Sequence, residues 1–113
     1  MAVTIYHNPR CLKSRQTLAL IEEKGVTPTI VEYLQDSPNQ ATLKDIVAKL
    51  KMAPGEIVRK KEAKEAGLDI PSMSDAQIIK AMADHPQIIE RPIVVSGNKA
   101  IMGRPPENVL ELL

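Results

Sequence analysis

The fold turns on one stretch, Val3-Thr4-Ile5-Tyr6-His7-Asn8-Pro9-Arg10-Cys11-Leu12-Lys13-Ser14-Arg15. Its first four residues are β-branched or aromatic and predict a strand, and Asn8-Pro9 marks a turn. Beyond the turn, Leu12, Leu18 and Ile21 lie roughly on one helical stripe ending at Gly25, so Cys11 is expected near a helix N-terminus. A thiol there faces unpaired backbone N–H groups and the positive end of the helix dipole, both of which favour the thiolate. Ser14 and Arg15, three and four residues along, can bring a hydroxyl and a cation near the sulfur. His7 precedes the turn and can lie across it. Each residue also has a plain reading: a lone cysteine as a small buried hydrophobe, Arg15 as a solvated helix residue, Ser14 as part of a first turn, His7 as a strand end. Together they make an electropositive setting that inert thiols seldom have, and the functional reading is preferred.

Working outward, Thr29-Ile30-Val31-Glu32-Tyr33-Leu34 reads as a second, mostly buried strand, completing a βαβ unit. A right-handed crossover between parallel strands leaves Cys11 at the carboxyl edge of the sheet, where α/β folds place ligands. Asp36-Ser37-Pro38-Asn39 then breaks the pattern. Leu43, Ile46, Val47 and Leu50 predict a helix capped by Ser37 or Asn39. A second start at Ala53-Pro54 carries Ile57 and Val58 up to Arg59-Lys60-Lys61, and a further short helix ends at Gly67. Ser74-Asp75-Ala76-Gln77 predicts a capping box opening a helix with Ile78, Ile79 and Met82 inside. Ile93-Val94-Val95, the turn Ser96-Gly97-Asn98 and Lys99-Ala100-Ile101-Met102 predict an antiparallel hairpin. Pro106 is placed to start a last helix with Val109, Leu110 and Leu113 facing inward. The whole is expected to be one α/β domain over residues 1–113, with a helical insertion at about 37–86.

At 113 residues the chain is long enough to bury a core without disulfides or a structural metal. A net charge of +1 gives no global field toward nucleic acid or an anionic membrane, and with no Trp or Phe there are no stacking platforms for single strands. The N-terminus lacks a basic and apolar leader pattern, and no apolar run approaches a membrane span, so a cytoplasmic location is expected. One cysteine cannot form an internal disulfide, and His7 and His85 sit in no metal-ligand spacing, so no metal and no bound cofactor is expected. If Cys11 turns over, the resolving sulfur must come from a small thiol or another protein.

A strand, a Cys-bearing turn and helix, a parallel strand, then a proline-led hairpin and closing helix is the layout of the thioredoxin-like (glutaredoxin-like) mixed sheet. Tyr6-His7-Asn8-Pro9-Arg10-Cys11 with Ser14-Arg15, Val58-Arg59-Lys60, His85-Pro86, Glu90-Arg91-Pro92-Ile93-Val94-Val95 and Gly103-Arg104-Pro105 go further. This set resembles the arsenate reductases coupled to glutathione and glutaredoxin, nearly from end to end. The resemblance implies that Cys11 attacks arsenate, that Arg59, Arg91 and Arg104 hold the oxyanion, and that glutathione is a co-substrate with glutaredoxin as protein partner. It also implies a cis peptide bond before Pro92, facing the thiol. Arginine suits a tetrahedral dianion because its guanidinium stays charged and binds oxygen pairs. Without the resemblance, Arg59 reads as part of a solvated basic run, and Arg91 and Arg104 as loop residues. The sequence departs from the well-studied reductases at Leu12-Lys13, where smaller residues are usual.

Three other readings compete. Phosphatase-like arsenate reductases and tyrosine phosphatases need an arginine six positions after the cysteine, where this chain has Thr17. A thiol-sensing regulator of the same fold that binds RNA polymerase often carries a Cys-x-x-Cys switch, and Ser14 occupies the second position here. A monothiol glutaredoxin-like oxidoreductase acting on glutathione mixed disulfides is compatible with one thiol.

Overall fold

The computed structural model describes residues 2–113. Its chain divides into two compact units, one running up to Asp36 and resuming over Arg91–Leu113, the other Ser37–Glu90.

The first unit is built on β1 (Val3–His7), α1 (Leu12–Glu23), β2 (Thr29–Glu32), β3 (Ile93–Ser96) and β4 (Lys99–Met102). The four strands form one sheet in the order β2-β1-β3-β4. β1 and β2 are parallel, with His7 opposite Glu32, while β3 is antiparallel to β1 and β4 antiparallel to β3. This mixed sheet with its βαβ start and hairpin finish is the thioredoxin-like fold. Alternation in β1 is visible in burial: Val3, Ile5 and His7 point inward. Val3 and Ile5 join Ile21 of α1, Val94 of β3 and Val109 in an aliphatic core, with Leu18, Leu20, Val26 and Ile101 packed around it. Each such side chain, fully buried, contributes about 1.5–3 kcal/mol.

Strand direction carries the functional consequence. Because β3 runs against β1, its start lies at the carboxyl end of β1, and because β4 runs against β3, its end returns there. The loop after β1, the residues before β3 and those after β4 therefore meet at one sheet edge. Those residues are Cys11, Arg91-Pro92 and Gly103-Arg104.

The second unit is helical. α2 (Gln40–Leu50) packs on α4 (Asp75–Asp84), and Leu43, Ile46, Val47, Ile78, Ala81 and Met82 are buried. Asn39 is the cap of α2, its side chain accepting from the N–H of Thr42 at 2.8 Å. Ser37 instead donates its hydroxyl to the carbonyl of Ala83 at 2.7 Å. The capping box at Ser74 forms, with Gln77 N–H donating to Ser74 Oγ and Ser74 N–H to Gln77 Oε1. Between them lies α3 (Lys60–Glu65).

Four expectations need correction. β2 is an edge strand and largely exposed, with Ile30 at 47 %, because nothing pairs beyond it; it stops at Glu32, and only Tyr33 is buried. Leu12 is 57 % exposed, off the stripe carried by Ser14, Thr17 and Ile21. The start at Pro54 gives only a 3₁₀ turn to Ile57, since Val58 is extended and bridges Ile89. The last helix does begin at Pro106, but it is 3₁₀ through Leu112, and its tighter repeat leaves Leu110 exposed while Val109 is buried.

Candidate active site

Cys11 is the N-cap of α1. The approach is a tight turn: Cys11 N–H donates to Asn8 carbonyl at 3.0 Å, and Arg10 N–H to Asn8 Oδ1 at 3.0 Å. Asn8 thus makes an Asx-type turn, which suits the Pro9 that follows it. The residue is at the edge of burial, 9 % exposed.

Two residues act on the sulfur from the far end of the chain. Arg104 Nη2 reaches Sγ at 3.6 Å. Its Nε donates to the carbonyl of Arg91 at 2.7 Å, which fixes the guanidinium plane, and Gly103 N–H donates to the carbonyl of Pro92 at 2.9 Å. The Arg91–Pro92 bond is cis, as the resemblance implied, and Arg104–Pro105 is a second cis bond that the sequence reading missed. Burial pushes the Cys11 thiol up. The backbone N–H of Ser14, a hydrogen bond from the Arg91 side chain, and the charges of Arg91 and Arg104 pull it down further, and the net shift is toward thiolate. The Ser14 contribution falls short of a formed cap bond and acts as a dipole beside the charge.

His7 and Ser14 form the floor. His7 Nδ1 lies 2.6 Å from Ser14 Oγ, sharing one hydrogen, and Asn8 N–H donates to the same oxygen at 3.0 Å. Ser14 is fully buried and His7 nearly so. Burial lowers the His7 pKa, Glu32 opposes and Arg15 assists, so the imidazole is neutral near pH 7. Its part is to hold the β1 end and the first turn of α1 together.

Arg15 engages the loop that leads into the helix. Its Nη1 donates to the carbonyl of Pro9 at 2.9 Å, clasping the loop, and its charge is felt at His7. The groups that lower Cys11 are Ser14, Arg91 and Arg104. Spacing of four residues puts Arg15 on the cysteine's face of the helix, and its long side chain turns back to a loop carbonyl.

Arg59 belongs to the helical unit and is the N-cap of α3. Its Nε donates to Glu62 Oε2 at 2.5 Å and its Nη1 to Glu90 Oε1 at 2.7 Å. Burial opposes its charge, and the two carboxylates outweigh that and raise its pKa. Its backbone is pinned too, with Arg59 N–H donating to Ile88 carbonyl at 2.7 Å. The sequence reading paired neither carboxylate with Arg59; the i,i+3 spacing of Glu62 is a signal that could have found it, and Glu90 has no such local signal. Among the described residues no group of three or more His, Cys, Asp or Glu could hold a metal ion, and no helix is long and apolar enough to cross a membrane.

The profile of the ArsC family matches residues 6–112. This chain belongs to the ArsC family. It is 50 % identical to the protein YfgD of Escherichia coli (strain K12), covering 98 % of this chain and 96 % of that protein. It is 47 % identical, over the full length of both, to a protein named arsenate reductase from Haemophilus influenzae. A solved structure of an arsenate reductase from Vibrio cholerae superposes with a TM-score of 0.94 at 46 % identity, covering 100 % of this chain and 98 % of the other. As an ArsC family member, the chain carries its one cysteine at a helix start with two arginines converging on it.

Proposed function

We propose that the protein reduces arsenate to arsenite, with Cys11 as nucleophile and with glutathione and a glutaredoxin supplying the electrons. The observation that carries this reading is the placement of the Cys11 sulfur at the N-cap of α1 with Arg104 Nη2 3.6 Å away, and the backbone N–H of Ser14, Arg91 and Arg104 all favour its thiolate. A thiolate would ordinarily repel a dianion, and two guanidinium groups offset that repulsion while matching a tetrahedral oxyanion. The family resemblance assigns the same anion-holding role to Arg59. Relatives named arsenate reductase support the substrate.

The chemistry balances with one protein thiol and two external ones. Cys11 Sγ bonds to arsenic and one oxygen leaves as water, arsenic staying pentavalent. Glutathione sulfur condenses on arsenic with loss of a second water. The glutaredoxin thiolate then attacks the glutathione sulfur, forming a glutaredoxin–glutathione disulfide, and the electron pair of the As–S bond reduces arsenic to the trivalent state. Water hydrolyses the remaining S–As bond, freeing arsenite and the Cys11 thiol. The lone cysteine makes the outside sulfurs necessary. A cytoplasmic setting, where such thiols are kept reduced, suits the cycle.

The test is a coupled assay with arsenate, glutathione, glutaredoxin, glutathione reductase and NADPH. The wild-type protein is expected to consume NADPH in proportion to arsenite formed, and Cys11→Ser to be inactive. Full turnover by Cys11→Ser would overturn the mechanism.

A further inference from the structure

One side chain beside the sulfur is not accounted for by the fold. Leu12 opens α1 yet is 57 % exposed, and the inward face of that helix is carried by Ser14, Thr17 and Ile21. A single exposed leucine is ordinary, but this one has company. Pro9, Arg10 and Lys13 are exposed around the same turn. The first turn of α1 contains no acidic residue, although the helix dipole favours acids there, and it contains Lys13. Neither Arg10 nor Lys13 contributes to the shift at Cys11, which comes from Ser14, Arg91 and Arg104. Cys11 itself is 9 % exposed, and these exposed residues are its immediate neighbours along the chain.

We propose that Pro9, Arg10, Leu12 and Lys13 form the docking rim for the thiol protein that takes glutathione from the adduct at Cys11. The partner this surface fits carries an apolar contact next to its own reactive cysteine, with carboxylates around it. Leu12 is the anchor, and Arg10 and Lys13 set orientation and encounter rate. A small thiol needs only the sulfur and is indifferent to Leu12. The inference rests on the glutaredoxin reading above. In the arsenate cycle the partner thiolate bonds to the glutathione sulfur of the Cys11–arsenic–glutathione adduct. The same approach is read out on a Cys11–glutathione disulfide, made with oxidised glutathione, where the partner thiolate bonds to the glutathione sulfur, the old S–S bond breaks, and Cys11 leaves as thiolate. One disulfide replaces another, with no net oxidation. The lowered thiol pKa makes Cys11 a good leaving group.

The experiment uses the full chain with Cys11 converted to its glutathione mixed disulfide by oxidised glutathione. Reduction is followed with glutaredoxin, glutathione, glutathione reductase and NADPH, and separately with dithiothreitol alone. For Leu12→Ser and Lys13→Glu the KM for the mixed disulfide is expected to rise about tenfold, the size of one lost anchor contact. kcat at saturation and the dithiothreitol rate should not change. Added salt should raise the wild-type KM and leave that of Lys13→Glu nearly constant. Circular dichroism checks that both variants fold. If the wild-type disulfide is a substrate for glutaredoxin and both variants match it, the docking rim is wrong and the coupling stands. If glutaredoxin acts no faster than glutathione alone on the wild-type disulfide, the rim is wrong, and arsenate-dependent NADPH consumption decides the coupling separately.

Discussion

At Cys11 two opposing effects meet and the charges win. Burial would keep the thiol protonated, yet the Ser14 N–H, Arg91 and Arg104 favour the thiolate. Alkylation by iodoacetamide should therefore have a pH midpoint below the free-thiol value of about 8.5. Arg91→Ala and Arg104→Ala should each raise it, and a midpoint unmoved in both would refute the electrostatic account. The sign of the linked stability follows. A depressed folded pKa contributes stability that is present above the unfolded value and lost as pH falls through the folded one. Ser14 offers a second test. Its buried Oγ serves both His7 Nδ1 and Asn8 N–H, so Ser14→Ala leaves two buried polar groups unmatched and should cost about 1–3 kcal/mol in urea unfolding. A loss under half that would mean water replaces the hydroxyl. Cys11, its turn and its helix start were legible in the sequence, because strand propensity, Asn-Pro and helical spacing are all local signals. The turning back of Arg15 was not, because spacing fixes a face and not where a flexible side chain ends.

At the scale of elements, the active edge is held by a close crossing of α1 with the loops around β3 and β4. A Cβ on Gly103 would stand 2.6 Å from Thr17 Oγ1 and 2.7 Å from Pro92 Cγ. Thr17 cannot yield easily, since its hydroxyl donates to the carbonyl of Lys13 at 2.8 Å and it is fully buried. Gly103→Ala is accordingly expected to destabilise the protein by about 1–3 kcal/mol, as overpacking does. It should also raise the Cys11 alkylation midpoint, because the neighbouring Arg104 is displaced. Destabilisation with an unchanged midpoint would show that the arginine is held independently of Gly103. Thr17 was noticed in the sequence only for not being arginine. Its packing role was invisible, since it depends on a residue 86 positions away. The hairpin at Gly97, the caps at Asn39 and Ser74 and the helix at Pro106 were all readable, because caps and turns are written in adjacent residues. The exposure of β2 was not, because an edge strand and a central strand share one composition.

At the scale of the whole molecule, an anion held as proposed, by residues from separate parts of the chain, would bind only the folded state. Sulfate, a tetrahedral dianion, should therefore slow Cys11 alkylation and raise the melting temperature. At one hundred times its dissociation constant the gain is about 2.7 kcal/mol. Arg91→Ala and Arg104→Ala should lose most of that gain, and equal stabilisation of all three proteins would point to a general salt effect. The sequence by itself determined the element order, the single thiol at a helix start and the lack of a second cysteine for an internal disulfide, since each depends on neighbouring residues or on a count. Only the tertiary structure decided that Arg91 and Arg104 reach Cys11 from 80 and 93 residues away, and that Glu62 and Glu90 grip Arg59. The reason is strand direction: antiparallel pairing of β3 and β4 carries both loops to the end of β1, and pairing partners are chosen by the folded sheet, not by any local run of residues.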